Sequence, residues 1–143
     1  MPDDLEVRGR KMLAADNPRR VLVVEDEAFI RLVLAAALED EGFEVMTAAN
    51  GREALGVLKQ WQPDLIILDL WMPWMDGPTF LTRQRSTREI ADIPVIVLSA
   101  NAAQIAQSET LQADAVLEKP FDLDILLKTA DQLIQGRAVS AAR

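Results

Sequence analysis

Ile66–Gly77 reads IILDLWMPWMDG, and the fold turns on how this stretch is read. Leu65–Leu68 is an unbroken apolar run, the signature of a strand buried on both faces. It ends at Asp69, and Trp71, Met72 and Pro73 soon follow where a surface turn would take polar residues. A buried strand that delivers a carboxylate to its own tip needs a reason.

The same pattern recurs to either side. Val21–Val24 is an apolar run ending in Glu25-Asp26-Glu27, and Phe43–Thr47 alternates as a strand near an edge does. Val95–Leu98 follows Pro94 and ends in Ser99-Ala100. Ala115–Leu117 is shorter and ends in Glu118-Lys119-Pro120. Between these runs the apolar spacing becomes helical. Ile30, Val33, Leu34, Ala37 and Leu38 form one stripe, with Gly42 placed for a helix C-terminus. Asn50-Gly51-Arg52-Glu53 has the form of a capping box, opening a helix through Leu58 that stops before Pro63. Pro78 to about Thr87 predicts a third helix, and Asn101 to about Gln112 a weaker one rich in Ala and Gln. Asp122 caps a last helix whose face is Leu123, Leu126, Leu127, Ala130, Leu133 and Ile134. Five strands alternating with five helices predict an α/β fold, a doubly wound five-stranded parallel sheet with helices on both faces. The expected organisation is an N-terminal tail at 1–19, one domain at 20–135, and a small, polar, frayed tail at 136–143.

Composition narrows the chemistry. The 143 residues suffice for one domain, and half are apolar. There is no cysteine or histidine, which removes disulfides, thiolate nucleophiles, serine-type triads and most zinc sites. No run approaches the roughly 18 residues of a membrane span, and no signal-peptide core opens the chain, so the expected address is cytoplasmic and no membrane partner is expected. A net charge of −8 argues against nucleic acid as a partner. The first twenty residues carry five bases against four acids and read as a solvated tail.

Four of the five strands end in a charged or hydroxyl residue. In a doubly wound sheet, ligands bind beyond the carboxyl ends of the strands, where strand order reverses. With the order 2-1-3-4-5, Glu25, Asp26 and Asp69 converge in one crevice, flanked by Ser99 and Lys119. Three converging carboxylates repel one another unless a hard cation such as Mg²⁺ joins them. A cation, a carboxylate nucleophile, an ammonium and a hydroxyl together suit phosphoryl transfer. Taken singly, an acid at a strand end is more often a helix cap, and a lysine there is usually solvated. Their coincidence at one end of one sheet carries the argument.

On the motifs VLVVEDE, IILDLWMPWMDG, VIVLSA and LEKPF, the chain from about Arg20 to Ile134 resembles the receiver domains of two-component response regulators, which have a flavodoxin-like fold. The resemblance implies that Asp69 accepts a phosphoryl group from a sensor histidine kinase, a histidine phosphotransfer protein, or a small donor such as acetyl phosphate. It implies that Asp26 and Asp69 bind Mg²⁺ (or Mn²⁺) directly, Glu25 through water, and the Trp71 backbone carbonyl as a further ligand. Ser99 and Lys119 would engage the phosphoryl oxygens. Ala100 would keep the entrance open and add its backbone to the catalytic set. The Lys119–Pro120 peptide would be cis, and Gly77 would close the loop after Asp69.

The chain also departs from the pattern. Val116 stands where an aromatic switch residue is usual, and Gln112 where a glycine commonly precedes the strand. The resemblance implies that Trp71 and Asn101 hold positions that tune phosphoryl lifetime. Trp71 is expected to pack locally, Trp61 to be structural, and Trp74 either to pack or to anchor a partner. Only nine residues follow the last helix, so a single-domain regulator that signals to a downstream target protein by contact is expected. It would be no enzyme beyond its own phosphorylation and dephosphorylation. A homodimer is left open. The alternative is a degenerate receiver acting as a phosphate-independent interaction module. An aspartate-nucleophile phosphatase would want an acid where Trp71 stands, and flavin binding would want a phosphate loop after the first strand.

Overall fold

The structure, a computed structural model, describes residues 19–72, 75–101, 103–106 and 112–142, with side chains as far as Arg137. The N-terminal tail, Trp74 and most of the expected helix at 101–112 lie outside the described residues.

Strands β1 (Arg20–Val24), β2 (Glu44–Ala48), β3 (Leu65–Asp69), β4 (Val95–Ser99) and β5 (Ala115–Glu118) form one parallel sheet in the order β2-β1-β3-β4-β5. Between them run α1 (Ala28–Asp40), α2 (Gly51–Leu58), α3 (Gly77–Ser86) and α4 (described at residues 103–106), and α5 (Leu123–Ala142) follows β5. Every residue of β3 and β4 is buried, as a central parallel strand requires. Successive side chains of a strand point to opposite faces, and the core divides accordingly. Leu22, Val24, Ile66, Leu68, Val95 and Val97 meet α2 and α3 through Ala54, Leu58, Phe80 and Leu81. Val21, Val23, Leu65, Ile67, Ile96 and Leu98 meet α1 and α5 through Leu34, Leu38, Leu126, Ala130 and Ile134.

The helix ends follow their local chemistry. Gly42 sits at φ +94°, where its N–H donates to Glu39 O (3.0 Å) and the Phe43 N–H to Leu38 O (3.1 Å), a Schellman closure of α1. The Asn50 side chain accepts from the Glu53 N–H (2.8 Å), and the Glu53 carboxylate reaches back to the Ala49 N–H (3.3 Å). Asp76 caps α3 through the Thr79 N–H (2.8 Å), and Asp122 caps α5 through the Asp124 N–H (2.8 Å).

Two expectations change. Val33 is not on the buried stripe of α1: Leu34, Ala35 and Leu38 face the sheet, and Val33 is 42% exposed beside Phe29 and Leu32. The stripe is narrower than the run of apolar residues, so one side of that run turns outward. The last helix does not stop at Gly136 but continues to Ala142. One internal glycine costs a helix about 1 kcal/mol relative to alanine, and the alanine-rich sequence beyond it favours helix enough to offset that.

Candidate functional site

Register brings the strand tips together. Val24 pairs with Leu68, so Glu25 comes to lie beside Asp69. Ser99 pairs with Glu118, so Lys119 emerges next to the end of β4. The Lys119 N–H donates to Ser99 O at 2.7 Å, and the Lys119–Pro120 peptide is cis. From there the Lys119 side chain spans the sheet edge, its Nζ lying 3.4 Å from Asp69 Oδ1 and 3.3 Å from Glu25 Oε1.

Glu25, Asp26 and Asp69 each present an oxygen within 4.8 Å of the others'. Glu25 is fully buried, Asp69 almost so, and Asp26 faces solvent. Burial pushes the Glu25 carboxyl up to about 8, with the hydrogen bond and charge of Asp69 pushing the same way. Burial pulls the Lys119 ammonium down, but the charges of Asp69 and Glu25 outweigh it and the net shift is upward. A cluster of hard oxygen donors whose negative charge a single ammonium only partly offsets has the chemistry that suits Mg²⁺. The Ser99 hydroxyl is fully buried and has no hydrogen-bond partner among the described residues. Asp26, Asp69, Trp71, Ala100, Asn101 and Lys119 share a cavity of about 440 Å³, which Glu27 and Gln104 also line.

In the loop after Asp69, Leu70 and Met72 are buried in the core, and Trp71 points outward. Trp71 is 76% exposed, which overturns the expectation that it packs locally. With Leu70 and Met72 filling the space under the loop, none remains there for an indole. The Trp71 N–H faces Asp69 Oδ1 at 3.3 Å. Gly77 donates to Leu70 O at 3.0 Å, and a Cβ on it would come within 2.5 Å of Leu70 Cα, so only glycine closes this loop. Trp61 is half-buried against the core with Arg20 over its ring at 5.4 Å, as a structural residue should be. Val116 packs against the α2/α3 core, so the usual aromatic position holds a small core contact.

Two residues of the site region escaped the reading of the sequence. Arg31 Nη1 donates to the carbonyls of Glu25 (2.8 Å) and Asp26 (3.3 Å), fixing the backbone that carries the acid pair. Gln104 bonds the Ala100 N–H at the cavity rim. Its sequence signal was Asn101-x-x-Gln104, a capping-box spacing.

The family model of the response regulator receiver domain matches residues 21–131. The chain belongs to that family. Sporulation initiation phosphotransferase F of Bacillus subtilis is 36% identical to this receiver over 107 residues, 73% of this chain and 85% of that protein. Response regulator MprA of Mycolicibacterium vanbaalenii is 37% identical over 120 residues, 82% of this chain and 51% of its own. The chemotaxis response regulator CheY4 of Vibrio cholerae superposes with a TM-score of 0.76 at 34% identity, covering 82% of this chain and 99% of that one. This receiver spans about half the length of most of the curated relatives it matches. Among the described residues, no helix is long and apolar enough to cross a membrane.

Proposed function

We propose that the protein is a phosphorylation-controlled switch whose acceptor is Asp69. The donor is the phosphohistidine of a sensor histidine kinase or histidine phosphotransfer protein, and the output is a contact with a downstream protein that depends on the phosphoryl group. The observation that carries this reading is the buried Asp69 carboxylate, set 3.4 Å from Lys119 Nζ beside an unpartnered, buried Ser99 hydroxyl.

In the proposed step an Asp69 carboxylate oxygen attacks phosphorus as the donor's P–N bond breaks, leaving imidazole and an acyl phosphate on Asp69. With acetyl phosphate the P–O bond breaks and acetate leaves. Lys119 supplies positive charge to the phosphoryl oxygens, and Ser99 supplies a neutral donor that needs no desolvation at that moment. Hydrolysis returns the Asp69 carboxylate and inorganic phosphate. Asp26, Asp69 and the Trp71 carbonyl, with Glu25 behind them, are the groups that would hold Mg²⁺, which when bound neutralises charge on the transferring group.

The test is intact mass after incubation with acetyl phosphate and Mg²⁺. One phosphoryl group is expected on the wild-type chain and none on Asp69→Asn, with circular dichroism unchanged. Undiminished labelling of Asp69→Asn would remove Asp69 from the role. Val116 favours a second reading, an interaction module indifferent to phosphate. Failure of the wild-type chain to gain mass, from acetyl phosphate or from any of a panel of histidine kinases, would point there.

A further inference from the structure

Asn101 and Gln104 form a reciprocal cap at the rim of the Asp69 cavity. Asn101 Oδ1 accepts from the Gln104 N–H at 3.0 Å, while Gln104 Oε1 accepts from the Ala100 N–H at 2.6 Å. Helical backbone is described at residues 103–106, with the Ile105 N–H donating to Asn101 O at 3.1 Å. A backbone N–H makes one good hydrogen bond, so the Ala100 donor bordering the cavity is already engaged. The neighbouring Ser99 hydroxyl is in the opposite condition, buried without a partner, and Lys119 holds its charge against Asp69. Of these donors, the Ser99 hydroxyl and the Lys119 ammonium already face the Asp69 site, while the Ala100 N–H is covered by the chain itself.

A phosphoryl group on Asp69 would bring anionic oxygens into this space. An anionic oxygen is a stronger acceptor than a neutral carboxamide, by about a factor of two in hydrogen-bond energy. On the reading of Asp69 as phosphoacceptor, we propose that Gln104 is a displaceable plug on the Ala100 N–H. The phosphoryl oxygen takes that donor over, and the Gln104 carboxamide leaves Ala100 for the cavity rim. The exchange is one hydrogen bond for another, with no proton transferred. It has two consequences. Gln104 competes with the incoming phosphoryl group and so slows its acceptance. Its departure also breaks half of the cap on the helix that follows, which turns an event at Asp69 into a change of surface at residues 103–106.

The experiment uses the full chain with Mg²⁺ and acetyl phosphate, comparing wild type, Gln104→Ala and Gln104→Glu, each checked for folding by circular dichroism. Acceptance should be roughly two- to tenfold faster in Gln104→Ala, the range one neutral hydrogen bond is worth. It should be slower in Gln104→Glu, whose carboxylate holds the Ala100 N–H more strongly and repels the phosphoryl group. In the wild type, the NMR signals of the Ala100 amide and the Gln104 side-chain amide should move together, in proportion to phosphorylation of Asp69. Equal rates in all three proteins, or a Gln104–Ala100 hydrogen bond that survives phosphorylation, would overturn the plug while leaving Asp69 as acceptor. If no protein gains mass with any donor, the acceptor reading falls and takes the plug with it.

Discussion

At Ser99 the fold keeps a hydroxyl fully buried and unpartnered in the resting chain. Leaving a buried polar group without a partner costs about 1–3 kcal/mol, a cost that alanine avoids at nearly the same size. Ser99→Ala should therefore raise the stability of the unphosphorylated protein by about 1 kcal/mol in urea denaturation while slowing phosphoryl acceptance. A loss of stability would mean that the hydroxyl has a partner at rest. Glu25 makes the complementary case. Its carboxyl is raised to about 8 in the fold, by burial first and by Asp69 next, from 4.5 in an unfolded chain. A folded-state value above the unfolded one means a stabilising contribution that is full below pH 4.5 and is lost as pH rises through about 8. In a chelator, the melting temperature should fall between pH 5 and pH 8, and Glu25→Gln should flatten that slope. An unchanged slope in the variant would place the pH dependence elsewhere.

Among the elements, those set by local chemistry were legible in advance. Leu65–Leu68 could only be a central strand, and the Asn50–Glu53 box and Gly42 mark helix ends with residues suited to little else there. What depended on depth of packing was not legible. The apolar side of α1 is wider than the stripe it buries, so Val33 could be placed only once the helix was seated on the sheet. Trp71 was misplaced because periodicity does not say that Leu70 and Met72 take the space beneath the loop. The turn into β5 shows the opposite situation. Gln112 adopts φ +61° at the position where a glycine is usual, a conformation that costs a residue with a Cβ about 1–2 kcal/mol. Its backbone carbonyl accepts from Arg85 Nη2 at 3.2 Å, a bond that any residue there can keep. Gln112→Gly should raise stability, by about 1 kcal/mol at most because glycine also gains freedom in the unfolded chain. Thermal unfolding would check it, and a destabilised variant would show that the Gln112 side chain contributes more than its strained backbone costs.

For the whole molecule, the candidate site was readable because a parallel sheet sends all its carboxyl ends to one side, so residues distant in sequence share a crevice by topology alone. Arg31 was not readable, since it acts on backbone carbonyls whose positions only the fold defines, whereas Gln104 had a local signal in the Asn101-x-x-Gln104 spacing. If the acid cluster holds Mg²⁺, binding to the folded state alone raises stability, by about 2.7 kcal/mol at a hundred times the dissociation constant. The melting temperature should accordingly rise with millimolar Mg²⁺, and more at pH 8 than at pH 5, where protons compete at Glu25. No shift at either pH would remove the metal. The far side of the molecule has a geometry of its own. Helix α5 starts at the site end of the sheet and runs back past the start of β3, where Arg137 Nη1 meets Pro63 O at 3.3 Å. Five further helical residues carry it roughly 7 Å onward. A fluorescent protein fused there without a flexible spacer would ride on a stiff spoke rather than a tether. Its fluorescence depolarisation would then follow the rotation of the receiver body as a whole, and a few glycines inserted before the fusion would release it.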